Sequence, residues 1–575
     1  MVDVGDLIRN FRSRIGRRAL RAIAFTGIGL LAAAVPAHGA EELIISYGIL
    51  ERTIPIEDLE AFAKGGALSS QLSAYAGYVG LTDQDLANLQ SILTERAELS
   101  HVDLSQFLNT TQGNTLLTLL GDVVQTPSRQ SGSLAIRAGV VLAAADEAEG
   151  LTIINFLKKY PTPGLRIDLA QGLEIANAVF ATLDDTERAF ALVHALAAEA
   201  AAQASPEDIA ASQQIQQLIF GLPRFAVTQE LIRLPERQVA ATLFLPRPRL
   251  SNQSLPDTMP VIVISHGLGD VRTSYDYLAT SLAAQGFAVV SLDHPGSNSQ
   301  QIDQLLSGLS PELIDDREFV NRPKDVSALL DRLEQLAAKR PNLRDRLDTN
   351  KVGLIGHSFG GYTALALAGA SYNADRLSQA CTPQPDYLNP SLLLQCQATE
   401  ITLEASNLQD ERVQAILAVN PVGGAIFGPS GFADVAVPTM IFGSTADTVA
   451  PALPEQIEPF TWLQTPDRYL VLASDTTHFS VISLEAGSEP LIPVPDTLLG
   501  TSPELAQDYL QTLALVFMSR HLKQDLRYDA ALTAQFIEDA VVRSPLAPLS
   551  LISNLRSEAL DQAINGDEFV NNFQP

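Results

Sequence analysis

Five residues near the middle of the chain, Gly356-His357-Ser358-Phe359-Gly360, constrain its fold more than any other stretch. They follow the apolar run Lys351-Val352-Gly353-Leu354-Ile355 and lead into Gly361-Tyr362-Thr363-Ala364-Leu365-Ala366-Leu367-Ala368, so the order reads strand, tight turn, helix. Glycines two before and two after the serine let the backbone turn without a Cβ in the way. A serine hydroxyl is a poor nucleophile unless it is held exposed at such an elbow, beside a base and facing backbone donors. In a chain with 36 glycines the three fixed positions also recur by chance, so the surroundings decide the reading.

A chain of 575 residues exceeds one ordinary core, and two or three domains are expected. Beyond about Leu218, short β-rich runs alternate with helical segments, the pattern of an α/β fold with a mostly parallel sheet and helices on both faces. The predicted strands are Val239–Leu245, Val261–Ile264, Ala288–Leu292, Val352–Ile355, Ala415–Val419, Thr439–Phe442 and Tyr469–Leu472. Residues 218–525 thus read as a catalytic domain, and about 371–411 as a cap-like insertion above the sheet edge where ligands bind in open α/β folds. Residues 40–206 read as an α-helical accessory domain, with Ala197–Ala204 and Ser205-Pro206 as the linker, and 526–575 as a C-terminal helical extension. The accessory domain holds no cluster of catalytic residue types, and its protein partner is unknown.

Net charge is −28, which argues against nucleic acid and against docking on anionic lipid, since both would be repelled. The start of the chain breaks that trend, with six arginines between Arg9 and Arg21 followed by an apolar run from Ala22 to Val35 and by Ala37-His38-Gly39. Residues 1–39 therefore read as a cleaved export signal, the alternative being a retained anchor. The run is short for a membrane span, so no stable span is expected after cleavage, and the protein is expected to be periplasmic or secreted. In an oxidising compartment Cys381 and Cys396, the two cysteines of the chain, read as a disulfide, with two buried thiols as the alternative.

An elbow serine needs a histidine base, and in this fold the chain order is serine, acid, histidine. Of eight histidines only His478 and His521 follow Ser358. His521 sits at a polar helix end, where a solvated side chain is the better account. His478 lies on a loop just beyond the last predicted strand, where the base belongs. For the acid, Asp447 directly follows the strand Thr439–Phe442, whereas Asp434 precedes it and Asp475 is crowded against the histidine. The oxyanion donors are expected to be the backbone N–H groups of Phe359 and of Leu268, in Ser265-His266-Gly267-Leu268-Gly269. This chemistry calls for no metal and no cofactor.

Ile264-Ser265-His266-Gly267-Leu268-Gly269 with Arg272-Thr273-Ser274-Tyr275, then Leu292-Asp293-His294, then Gly356-His357-Ser358-Phe359-Gly360-Gly361 resemble the platelet-activating factor acetylhydrolase family of α/β-hydrolases. The resemblance covers about residues 225–525. It implies metal-free hydrolysis of short or oxidised acyl esters of phospholipids by a Ser-Asp-His triad, with the serine and histidine at Ser358 and His478 and the donors at Leu268 and Phe359. The animal enzymes carry their aspartate one strand earlier, at a position that here is Asn420, and an amide cannot serve. Gly443–Pro451 instead looks like the acid loop of bacterial polyester hydrolases, which supports Asp447. The whole layout is similar to an uncharacterised group of bacterial α/β-hydrolases. The expected substrate is a small-molecule or lipid ester, and a small-ester or polyester hydrolase is the nearest alternative. A non-catalytic envelope binding protein that keeps the fold is a third reading.

Overall fold

In the second of two compact units, nine strands lie in the order β13-β12-β11-β10-β9-β7-β8-β6-β5. They are β5 (Ala226–Leu234), β6 (Val239–Arg247), β7 (Met259–Ser265), β8 (Ala288–Leu292), β9 (Leu347–His357), β10 (Val413–Val419), β11 (Thr439–Ser444), β12 (Arg468–Ala473) and β13 (Leu549–Ile552). From β8 through β12 every pairing is parallel, while β5/β6, β6/β8 and β12/β13 are antiparallel. The computed structural model describes residues 39–79, 82–382, 389–401, 408–483, 499–500, 502–541 and 548–566. The expected export signal lies, apart from Gly39, outside them.

Both faces of this sheet are covered, which is why its strands are continuous apolar runs rather than alternating ones. On β7, Val261 and Val263 enter one core with Leu354, Phe359 and Leu365, while Ile262 and Ile264 enter the opposite core with Ile355, Leu417, Phe442 and Val471. All seven predicted strands are present. The two that the sequence reading missed are edges: β5 alternates with polar, exposed positions, and β13 is four residues long. Residues 526–575 are accordingly not a purely helical extension. They supply β13 to the sheet through Leu470↔Ile552 pairing, a contact between positions too far apart for local pattern to reveal.

The first unit comprises the described residues up to Ser105 and Leu117–Leu173. It is mostly helical, as expected, and also contains a four-stranded sheet in the order β2-β1-β4-β3, built from β1 (Glu42–Tyr47), β2 (Leu50–Pro55), β3 (Val124–Gln125) and β4 (Gly164–Asp168). The central pairing joins Glu42 to Gly164, so its register is invisible in any local window. Leu43, Ile54, Leu59, Phe62, Leu157, Tyr160 and Leu165 are buried in this unit.

The boundary between units falls between Leu173 and Glu174, inside the helix Leu169–Ala202, and Gln106–Leu116 is grouped with the second unit. The expected linker at Ala197–Ala204 is therefore mostly the last turns of that helix. Ala189, Leu192, Val193 and Ala197 are buried in a core of the nine-stranded sheet, so this alanine-rich stretch packs instead of spanning a gap. The insertion expected at 371–411 contains the helices Ala374–Ala380 and Pro390–Gln395, and its cysteines are joined, Cys381 to Cys396.

Candidate active site

Strand β9 ends at His357 and the helix Phe359–Leu367 starts two residues later, leaving Ser358 at φ 54°, ψ −118°. A left-handed φ on a non-glycine residue stores about 1–3 kcal/mol of strain, held here by packing on all sides. A Cβ on Gly356 would lie 2.0 Å from the Gly360 carbonyl oxygen, and one on Gly360 would lie 2.0 Å from that of Ser265. The glycines of the elbow thus permit contact with β7 as well as the turn itself. The Ser358 N–H donates to the Val419 carbonyl at 2.9 Å, fastening the elbow to the end of β10. Phe359 is the first helical residue, so its N–H has no acceptor inside the helix.

The loop after β7 passes directly over this serine. A Cβ on Gly267 would sit 3.3 Å from Ser358 Cβ and 3.1 Å from His357 Nδ1. Leu268 follows, half-buried, and the Gly269 N–H donates to the Ser297 carbonyl at 2.8 Å. His266 is fully buried. Its Nε2 accepts from the His294 N–H at 3.0 Å, which puts the proton on Nδ1, 2.6 Å from the Gly267 carbonyl. Burial, aided by the Arg322 charge, holds its pKa well below the usual histidine value, so the ring stays neutral and the tautomer is fixed.

Asp447 lies three residues past β11, and His478 lies on the loop after β12. Asp447 Oδ2 accepts from His478 Nδ1 at 2.7 Å, while its Oδ1 accepts the N–H groups of Val449 at 2.8 Å and Ala450 at 2.7 Å. The carboxylate is therefore oriented by its own loop. With Nδ1 carrying a proton, the His478 Nε2 lone pair is the one left for a hydroxyl. His357, next to the serine, donates from Nε2 to the His478 carbonyl at 2.9 Å, and the two rings lie 4.7 Å apart. The elbow and the His478 loop are thus tied together directly. Ser358, Asp447 and His478 are 5%, 7% and 4% exposed.

The rejected candidates lie elsewhere. Asp434 caps the helix Gly424–Ala433 and accepts from Ser371, and Asp475 is exposed. His521 is half-buried against Phe517 at 4.7 Å, with its pKa pushed down to about 4 by burial, so it is packed rather than solvated. Asn420, at the end of β10, points its Nδ2 at Ser444 Oγ, 3.1 Å, and toward the His478 carbonyl, 3.5 Å, and does not bond to His478 Nδ1.

Beneath the loop after β7 lies a polar network that sequence reading missed. Ser265 Oγ is 3.0 Å from His294 Nε2, and His294 Nδ1 is 3.0 Å from Asp325 Oδ2, which repeats the order of a triad in a place no substrate reaches. Ser265 and His294 are 0% exposed. Glu318, Arg322 and Asp325 share one face of the helix Glu318–Lys339 at i, i+4 and i+7, a spacing that was legible but resembles a solvated face. A cavity of about 700 Å³ borders the segment after β11 at Thr445 and Leu453 and the insertion at Arg376 and Leu392; it reaches Asp447 but not Ser358. No group of three or more His, Cys, Asp or Glu that could hold a metal occurs among the described residues.

A mostly parallel sheet with a strained serine at the strand-to-helix elbow, an acid after a later strand and a histidine after the next is the arrangement of an α/β-hydrolase. The chain belongs to the α/β-hydrolase superfamily: residues 261–546 match the family described as "Alpha/beta hydrolase family", and residues 39–168 match "Alpha/beta hydrolase of unknown function (DUF1400)". It is 30% identical over 137 residues to a platelet-activating factor acetylhydrolase of Canis lupus familiaris, covering 18% of this chain and 31% of that one. It is 25% identical over 226 residues to a cutinase, est1, of Thermobifida alba, covering 39% and 55%. A bis(hydroxyethyl) terephthalate hydrolase of Streptomyces coelicolor is 25% identical over 225 residues, covering 39% and 51%. The chain thus spans about a third of the length of the acetylhydrolases it matches and about half that of the two bacterial enzymes.

Proposed function

We propose that this protein is an exported serine hydrolase of carboxylic esters. His478 takes the Ser358 proton, Ser358 Oγ attacks the ester carbonyl, and the oxyanion is held by the N–H groups of Leu268 and Phe359. His478 then protonates the leaving alcohol, and a water deprotonated by the same imidazole releases the acid from the acyl-enzyme. Asp447 holds the imidazole and stabilises its charged form. The observation that carries this reading is the 2.7 Å Asp447–His478 bond on a loop tied to the Ser358 elbow through His357.

Lipid or short-acyl esters are the first-choice substrates, in line with the acetylhydrolase relatives. A polyester or small-ester substrate is the second reading, favoured by the position of the acid after β11 and by the cutinase relative. Export is supported by the basic and apolar start of the sequence and by the Cys381–Cys396 disulfide. No described helix is long and apolar enough to cross a membrane.

A fluorophosphonate probe should label the native protein and not Ser358→Ala, with kcat on p-nitrophenyl acetate down about 10⁶-fold. An unlabelled native protein would refute the enzyme reading, and labelling that persists in the variant would refute the serine assignment. Rates on esters of increasing acyl length then separate lipid from small-ester substrates.

A further inference from the structure

We propose that Arg322 is a positioning residue for the oxyanion site, tying together the two segments whose N–H groups face the developing charge. The inference rests on the serine hydrolase reading above. Arg322 is 0% exposed, the largest fully buried side chain of the described residues. Burying a cation is costly unless it is paired and hydrogen-bonded, and among the described residues Arg322 has no carboxylate within ion-pair distance, only the longer-range attraction of Glu318, Asp325 and Asp270. Its Nε and Nη1 have no hydrogen-bond partner among the described residues. The hydrogen bonds of the nearby carboxylates go to other groups: Glu318 accepts from Ser297 at 2.6 Å, Asp325 binds His294 at 3.0 Å and Arg237 at 2.5 Å, and Asp270 Oδ1 accepts from Ser274 and from the Val271 N–H. Burial pulls the Arg322 pKa down to about 10, so the guanidinium keeps its charge at neutral pH.

Two contacts remain, and each falls on one of the donor segments. Arg322 Nη2 donates to the His266 carbonyl, two residues before Leu268. The guanidinium also lies over the Phe359 ring, 4.5 Å from its centroid, and Phe359 is the residue whose N–H opens the helix after Ser358. Phe319, from the same helix as Arg322, also packs edge-on against that ring, centroids 4.9 Å apart. One rigid planar group therefore fixes the loop after β7 relative to the elbow, and it brings a positive charge beneath both donors. Neither lysine nor a neutral side chain supplies the planar stacking surface and the charge together.

The test uses Arg322→Met and Arg322→Lys in the full chain, with p-nitrophenyl acetate as substrate and an aryl boronic acid as tetrahedral adduct former. Arg322→Met should lower kcat about a hundredfold with KM within about twofold, and should weaken the boronic acid by a similar factor, the size expected when an oxyanion donor is displaced. Arg322→Lys can still reach the His266 carbonyl and should recover about tenfold of both losses. A merely structural role would lower the unfolding midpoint and leave kcat and boronic acid affinity per folded molecule unchanged. That result, a change confined to KM, or loss of the fold in both variants would overturn the inference. If fluorophosphonate labels Ser358 in the native protein but the Arg322 variants behave as native, this inference alone fails; if the native protein is not labelled, the hydrolase reading fails and takes this one with it.

Discussion

Glu455 is 3% exposed and has no cation in contact among the described residues, yet it receives four donors. Its Oε1 accepts from Ser391 Oγ at 2.6 Å and Gln395 Nε2 at 2.8 Å, both on the insertion, and its Oε2 accepts from the N–H groups of Gly423 and Gly424 at 2.9 Å each. The carboxylate thus fastens the insertion to the turn after β10, whose Val422 N–H in turn bonds the Ser358 carbonyl at 3.3 Å. In Glu455→Gln the amide oxygen can keep only one side. Turned toward the glycines, it replaces two charged bonds by neutral ones, costing about 1 kcal/mol each. The amide nitrogen then faces Ser391, which can accept while donating to Asn389 Oδ1 at 2.7 Å, and Gln395, which cannot. Gln395 is locked because its Oε1 already accepts from Ala425 at 3.0 Å and Ile426 at 3.1 Å, so two donors are set against each other at roughly 1–3 kcal/mol. Removing a buried charge, whose pKa burial has raised, returns part of this. The expected net loss is about 2–3 kcal/mol for Glu455→Gln, and for Glu455→Ala, which strands three donors, about 5 kcal/mol. Trp462 is the one tryptophan of the chain and lies seven residues on, with Arg376 5.0 Å from its ring, so urea unfolding followed by its fluorescence reads this region. Unfolding midpoints equal to native in both variants, or a Glu455→Gln loss as large as that of Glu455→Ala, would refute the donor accounting.

Asp325 has its carboxyl pushed up to about 6 by burial, against 3.8 for the free side chain, with Arg237 offsetting only part of the shift. The folded state therefore binds this proton more tightly, and its stabilising contribution is present below about pH 4 and lost as pH rises through 6; the stability of native protein relative to Asp325→Asn should fall by up to about 3 kcal/mol from pH 4 to 7, and a flat difference would contradict it. Reduction of Cys381–Cys396, separated by 15 residues, should lower the Trp462-detected stability by about 3 kcal/mol in the chain-entropy account, measured as the urea midpoint with and without reductant. Asp447→Asn should lower kcat by about 10⁴, and adding Asn420→Asp should not restore it, because a carboxylate there faces the His478 carbonyl and not Nδ1; recovery beyond about threefold in the double variant would show that the acid can sit on either strand.

How much of this was legible depended on where the chain's information is local. Val261–Ile264 and Ala415–Val419 announced themselves because strands covered on both faces must be apolar throughout. β5 and β13 did not, since an edge strand carries half that signal and β13 only four residues of it. The first unit's sheet was hidden for another reason: Glu42 pairs with Gly164, and short strands between helices look like helix ends when their partner is out of view. Among the site candidates, Ser358, Asp447 and His478 could be chosen by chain order, because the fold dictates which strand precedes each. Glu318, Arg322 and Asp325 could not, since three charges on one helical face ordinarily mean solvent and only the tertiary structure puts the β7 and β8 loops over them.

The choice between Asn420 and Asp447 shows what chain order leaves undetermined. β10 and β11 are neighbours, with Val419 paired to Phe442, so their ends are about one strand spacing, roughly 4.8 Å, apart beneath the same His478 loop. A carboxylate from either strand is near enough to the imidazole for the fold to accept both arrangements. Loop chemistry separates them. Asp447 stands three residues beyond its strand, where Val449 and Ala450 turn back to donate to Oδ1 and leave Oδ2 aimed at Nδ1. Asn420 immediately follows β10 at φ 41°, held by its own N–H on the Phe442 carbonyl, 2.7 Å, so its side chain is spent on Ser444 and the backbone of the histidine loop. An amide suits that position because it can donate to a carbonyl. The same site with an aspartate would need the His478 loop turned over, and the His357 bond to the His478 carbonyl opposes that turn.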